Sequence, residues 1–209
     1  MVDYSFLKQC IRSEGGFPLS DAILDKFLDM GEYVKLGPQQ FIIAPGSVDK
    51  SLWITARGVT KAVYFDGKKE KVLGFSGPGT ITLSPVSFAI GKPAFCAFQT
   101  VNECQLLRVR KSDFDRLVAE SHEFARWMIG ILISQFTALE LKSQMLSEGD
   151  IHSNYKQLVK RQMKLDPDGF DPNRPGLLSI VSSRDLASYL GITQSYLSNI
   201  RKDILDKER

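Results

Sequence analysis

Apolar and polar positions change their period several times along the chain. Over residues 17–36, "FPLSDAILDKFLDMGEYVKL", Phe17 or Leu19, Ile23, Phe27 and Leu28 recur at helical spacing. That predicts a short helix, with Ser20 placed to cap it. From Gln40 to Val109 the runs become β-like: "QFIIAPGS", "SLWITARGVTKAVYFDGKKEKVLGF", "TITLSPVSFAI" and "AFCAFQTVNECQLLRVR", separated by Gly, Pro and Asp. Asp66-Gly67 between two β-prone runs predicts a hairpin. Many short strands at this spacing predict a small β-barrel or sandwich.

At Lys111 a helical period returns and holds to Ser147. Ser112-Asp113-Phe114-Asp115 fits a capping box with Asp in the Glu/Gln position. Further along, Phe124, Met128, Ile131, Gln135, Ala138, Lys142 and Met145 form a near-heptad row, and Trp127, Leu132, Phe136 and Leu139 form a second apolar row. A helix apolar on two sides must bury both. One face on its own barrel and the other against a partner helix achieves this, and the near-heptad row favours that over a helix wrapped within one core. Glu148-Gly149-Asp150 then reads as a hinge, "HSNYKQLVKRQMKL" as another helix, and "DPDGFDPNRPG" as a loop. Two domains are expected, 1–147 and 148–209.

The last segment, "SSRDLASYLGITQSYLSNIRKDILDK", carries the functional signal. Ser182 to Asp185 forms a capping box for a helix from about Ser183 to Leu190. Gly191 supplies the turn, and Thr193 caps a helix that starts near Gln194. Leu186, Leu190, Ile192, Leu197 and Ile200 are apolar and face inward, and Ala187 is small where two helices cross closely. This set fits a helix-turn-helix whose second helix enters the DNA major groove; a helical hairpin in an ordinary core is the competing reading. The outward positions separate the two. Thr193, Gln194, Ser195, Tyr196, Ser198 and Asn199 are polar, and Arg201 and Lys202 follow. Gln and Asn pair two-pronged with adenine, hydroxyls contact bases or phosphate, and Arg and Lys neutralise phosphate. A plain solvated helix carries Glu and Lys more often.

Charge adds a weak push in the same direction. Of 27 Lys and Arg and 24 Asp and Glu, 17 of each lie in residues 1–153, so the whole net charge of +3 falls in 154–209. That bias suits a polyanion partner, but on charge alone a plain solvated surface is the better account. Cys10, Cys96 and Cys104 are odd in number and widely spaced, which argues against a disulfide framework or a zinc site and fits a reducing cytosol. His122 and His152 are too few for a histidine metal site. No signal peptide or membrane span is expected. No nucleophile–base pair, metal cluster or phosphate loop is visible, and "GKPAF" and "DGKKEK" lack the glycine spacing of one. Neither catalysis nor a cofactor is therefore expected.

A β-roll, a long helix and a C-terminal helix-turn-helix, in that order, resemble the Crp–Fnr family of bacterial transcription regulators. "SLWITARGVTKAVYFDGKKEKVLGFSGPGTI" and "SRDLASYLGITQSYLSNIRK" carry the likeness, and the C-terminal motif looks like the branch common in Bacteroidetes. The resemblance implies an α+β fold. It comprises an N-terminal double-stranded β-helix (a jelly-roll-like roll), a dimerisation helix over residues 112–147 and a C-terminal winged-helix domain. It also implies a cytoplasmic homodimer that binds double-stranded DNA, works with RNA polymerase and answers to a small-molecule effector in the roll.

The effector site departs from the family. Cyclic-nucleotide members carry a cassette resembling Gly-Glu-Leu-Ala, followed by Arg-Ser-Ala or Arg-Thr-Ala. Aligned from Gly79, the Gly-Glu positions fall on Leu83 and Ser84, and the Arg-Ser positions on Ala94 and Phe95. The groups that hold ribose and phosphate are missing, and an unpaired phosphate in an apolar pocket is costly. Lys92, two residues from Ala94, is the alternative cation. The expected effector is a non-nucleotide apolar or weakly polar molecule, or none. The recognition helix departs too, with Gln194-Ser195 and Asn199 where the best-known members carry an Arg-Glu pair and a further Arg.

Overall fold

The computed structural model describes residues 4–14, 16–67, 69–148, 150–155 and 180–207. Helices α1 (Tyr4–Glu14) and α2 (Asp21–Asp29) lead into strands β1 (Glu32–Leu36), β2 (Phe41–Ile43), β3 (Ser51–Arg57), β4 (Thr60–Asp66), β5 (Lys69–Ser76) and β6 (Ile81–Thr82). After α3 (Pro85–Ile90) come β7 (Ala97–Thr100) and β8 (Cys104–Arg110), then α4 (Lys111–Glu120) and α5 (His122–Glu148). Residues 151–155 are helical. Two helices, α6 (Ser183–Leu190) and α7 (Gln194–Lys207), follow.

The strands form two four-stranded sheets, ordered β1-β8-β3-β6 and β2-β7-β4-β5. All their pairings are antiparallel. Alternation along β3 gives each face of the first sheet its own core. Leu52, Ile54 and Ala56, with Leu107 and Val109 of β8, pack against α1, α2, α4 and α5 around Phe27, Phe124 and Trp127. Trp53, with Cys104 and Leu106, faces the second sheet and meets Ile43 and Phe98. The largest core therefore lies outside the roll, between its first sheet and the helices.

The Asp66-Gly67 hairpin forms as expected: β4 and β5 pair with Asp66 opposite Lys69, and Gly67 has φ 60°. Other expectations need correction. The helix over 17–36 stops at Asp29, and Glu32–Leu36 is a strand paired along β8, a tertiary partner that outweighs local period. The Ser20 hydroxyl does not cap α2; it bonds the Glu123 carboxylate. "TITLSPVSFAI" is strand only at Ile81–Thr82, because Pro85 cannot donate to a ladder and opens α3 instead. α1 was not foreseen.

The long helix is two helices, broken at Ser121, which accepts from the Phe124 N–H. Its capping box does not form. α4 begins at Lys111 with Arg110 as an unbonded cap, while Asp113 pairs with Arg116 and Asp115 with Lys111. The near-heptad row faces inward at four of its seven positions, while Gln135 and Ala138 are exposed and Lys142 is half-buried. Phe124, Met128 and Ile131 are buried in the core, and Gln135 donates to the Ile81 carbonyl at 2.9 Å. Met145 packs against the C-terminal helices. Trp127, assigned to the other row, is fully buried as well. The outward row is Ile129, Leu132, Phe136, Leu139 and Leu146, all exposed, with Ser143 completing a strict heptad spacing. By length and mean hydropathy, 1.2 over His122–Ser147, α5 is the one described helix that passes the composition test for a membrane span. The core position of its first two turns is that of a protein-packed helix. Most of the expected helix "HSNYKQLVKRQMKL", the loop after it and the winged part of the C-terminal domain lie outside the described residues.

Candidate nucleic-acid interface

Short-range chemistry builds the α6–α7 pair. The Ser182 hydroxyl accepts the Asp185 N–H at 3.0 Å and caps α6. Gly191 turns the chain at φ 71°, a left-handed geometry that suits glycine. The Ile192 N–H reaches the Ala187 carbonyl at 3.0 Å, and Thr193 Oγ1 accepts the Tyr196 N–H at 3.2 Å. Leu186, Ala187, Leu190, Leu197 and Ile200 are buried between the helices, and half-buried Ile192 packs on them.

Thr193, Gln194, Ser195, Tyr196, Ser198, Asn199 and Lys202 are all exposed, so one face of α7 is a continuous polar surface. Arg201 stands apart. It is half-buried and donates to the Tyr155 hydroxyl at 3.3 Å and the Ser183 hydroxyl at 3.0 Å. Its guanidinium thus ties α7 to the start of α6 and to residues 151–155. Sequence spacing assigned it to the outer face, and only the partners' positions reveal the clamp.

The pair rests on the roll. β5 is an edge strand, and α6 lies along it. The Val72 N–H donates to the Ser188 hydroxyl at 3.0 Å, and the Phe75 and Tyr189 rings meet at 5.6 Å. Lys61 of β4, only 3 % exposed, bonds Glu70 at 2.6 Å and Asp185 of α6 at 3.2 Å. Beside it opens a cleft of about 270 Å³ lined by Gln39, Lys61, Glu70, Ser182, Arg184 and Asp185. Two acids and two bases line it, so the cleft carries no net charge.

The five residues assigned to an effector site are not gathered together. Leu83 packs on the helical core. Ser84 is buried at the start of α3. Ala94 is buried between the sheets beside Trp53, its backbone pinned to the Ser47 carbonyl at 2.9 Å. Lys92 is exposed, and Phe95 is 76 % exposed. Trp53, Ile43, Leu106 and Cys104 pack together between the sheets, with half-buried Phe98 against them. Burial raises the Cys104 thiol to about 11, and its Sγ donates to the Val59 carbonyl, as an inert core thiol does. A cation that the sequence reading missed lies on this inner face. Arg108, opposite Trp53, stacks over the indole at 5.5 Å and donates to the Ser51 hydroxyl at 2.8 Å. The signal was present in "CQLLRVR", where Arg108 shares the parity of Leu106.

An eight-stranded roll of this topology followed by a long helix is a cyclic-nucleotide-binding type of fold. Residues 33–121 match the cyclic nucleotide-binding domain family. Among solved structures, the c-di-GMP-responsive global regulator CLP of Xanthomonas campestris is similar with a TM-score of 0.71 at 17 % identity, over 90 % of this chain and 93 % of that one. FixK2 of Bradyrhizobium japonicum is similar with a TM-score of 0.71 at 13 % identity, over 85 % and 86 %. The catabolite activator protein of Thermus thermophilus is similar with a TM-score of 0.54 at 17 % identity, over 91 % and 85 %. No curated protein sequence matches the chain. At these identities the likeness shows the fold.

Proposed function

We propose that the protein is a sequence-specific DNA-binding transcription regulator of the Crp–Fnr type, of the branch its C-terminal motif resembles. It acts in the cytoplasm as a homodimer. Residues 1–147 form the sensor roll and dimerisation helix, and residues 148–209 form the DNA-binding domain. The observation that carries this reading is the exposed face of α7. Gln194, Ser195, Tyr196, Ser198, Asn199 and Lys202 project together from a helix whose inner side is stitched to α6. Short amide and hydroxyl side chains let a helix approach base edges, and Lys202 supplies a phosphate contact. Arg201 acts behind this face by holding α7 in place. The exposed heptad row of α5 supports the dimer, which presents one reading helix to each half-site.

The apolar packing between the sheets supports regulation without a cyclic nucleotide. Any effector that such packing admits is a small apolar or weakly polar molecule, and a roll with no effector fits equally. RNA polymerase is the downstream partner that such a regulator implies. A second reading, cyclic-nucleotide control through Lys92, rests on the family match of residues 33–121; the solvent position of Lys92 weighs against it.

Gel shifts of the full chain on promoter fragments, across a salt series, test the main reading. Specific binding is expected for some fragments, falling as salt rises because phosphate contacts release counterions. Equal weak binding to every fragment would sink it.

A further inference from the structure

Lys142 sits where three elements meet. The ladder between β4 and β5 shifts register: Ala62 pairs with Gly74 and Val63 with Val72, so Leu73 is skipped. Such a bulge frees backbone groups and bends the strand. Lys142 of α5 donates to the Leu73 carbonyl, and the Val72 carbonyl lies 3.5 Å from its Nζ. The same ammonium lies 4.0 Å from the ring centroid of Tyr189 on α6. Tyr189 in turn packs on Phe75 of β5. One side chain therefore fastens the long helix, the bent hairpin and the first helix of the C-terminal pair.

The placement along α5 gives this junction its consequence. Leu139, Ser143 and Leu146 of the outward row lie within about a turn of Lys142, and Leu139 and Leu146, three and four positions away, flank it on adjoining faces of the same helix. The face proposed to meet a second copy and the side chain that holds α6 thus share one rigid segment. In a dimer, the separation of the two α7 helices follows from how each α6 is held against α5.

We propose that Lys142 is a positioning residue for DNA reading, fixing the angle of α6–α7 against α5 and hence the half-site spacing that the dimer accepts. The proposal rests on the DNA-binding reading above. It calls for a cation with directional donors. Arginine, which bonds carbonyls and stacks on an aromatic ring, replaces the contacts, whereas methionine keeps the packing and loses them.

The test uses the full-length chain. A random duplex library first yields the site that the wild type selects, and duplexes with half-site spacing varied one base pair at a time follow. Paired half-sites one helical turn apart demand a matching protein geometry. Lys142→Met should lose roughly tenfold in affinity at the preferred spacing and much less at the others, flattening the profile. Lys142→Arg should keep the profile. Hydrogen exchange on the free protein gives a readout without DNA: the Val72 amide and the α6 amides should exchange faster in Lys142→Met. A profile unmoved by Lys142→Met, or one lowered uniformly at every spacing, would overturn the proposal. Selection of no site by the wild type would overturn instead the DNA-binding reading beneath it.

Discussion

Lys61 and Asp185 stand 124 positions apart in sequence, yet their side chains meet at 3.2 Å where the roll touches α6. Lys61 is almost wholly buried and also bonds Glu70 at 2.6 Å. Removing the cation leaves two carboxylates facing each other in a poorly hydrated junction. Lys61→Met should cost about 3–5 kcal/mol, the usual result of breaking a buried pair from one side. Asp185→Asn should cost less, because Glu70 still pairs with Lys61. Urea unfolding of the two variants measures the difference, and equal losses would contradict this arrangement.

The outward row of α5 should govern assembly. Phe136 is 63 % exposed and lies at the middle of that row. A charge there destabilises an apolar helix seam and disturbs the protomer little, because most of the ring is in solvent. Phe136→Glu should convert a dimer to a monomer in sedimentation experiments, with an unchanged melting transition of the isolated protomer. The same substitution should lower operator affinity by more than tenfold, since a single reading helix loses the second half-site.

Lys142 should leave a signature in the pH dependence of stability. Burial lowers its pKa to about 8 from an ordinary 10.5. Between these values the unfolded chain holds a proton that the folded chain has released, so this residue's contribution to stability rises with pH through the window. Below the window the cost of burying the charge is present in full. The stability of wild type minus that of Lys142→Met should therefore increase from about pH 8 to 10.5, as read by urea unfolding. A difference that falls over this range would be inconsistent with a desolvated ammonium.

Cyclic nucleotides should not bind. Trp53, Phe98 and Leu106 make the inner face apolar, and Lys92 is at the surface. Titration calorimetry with cyclic AMP and cyclic GMP should give a flat trace up to millimolar ligand. Heat that disappears in Lys92→Met would revive the alternative. Heat that disappears in Arg108→Met would move the site to the guanidinium above Trp53.

Much of the candidate interface was legible because its determinants are local. The Ser182 cap, the Gly191 turn, the Thr193 cap and the polar positions of α7 are each set within a few residues, and all take the expected geometry. The effector assignment was harder. Counting from Gly79 placed Leu83, Ser84, Lys92, Ala94 and Phe95 on a common wall, but the run bends into α3 at Pro85 and disperses them. A proline that cannot join a ladder announced the break. Which way each side chain then pointed depended on what lay opposite.

The sequence by itself determined where the chain turns, where helices start and which face of α7 is polar, because backbone preferences and caps act over one or two turns. Tertiary structure decided which side of α5 is inside, that Glu32–Leu36 pairs as a strand, and that Arg201 clamps. It also decided that Lys61 and Lys142 fasten α6 to the roll. An amphipathic row records that a face wants burial, not what will bury it. That choice is made when distant segments compete for the same surface, and here the helical core took Phe124, Met128 and Ile131 together with Trp127 and left Leu132, Phe136 and Leu139 exposed.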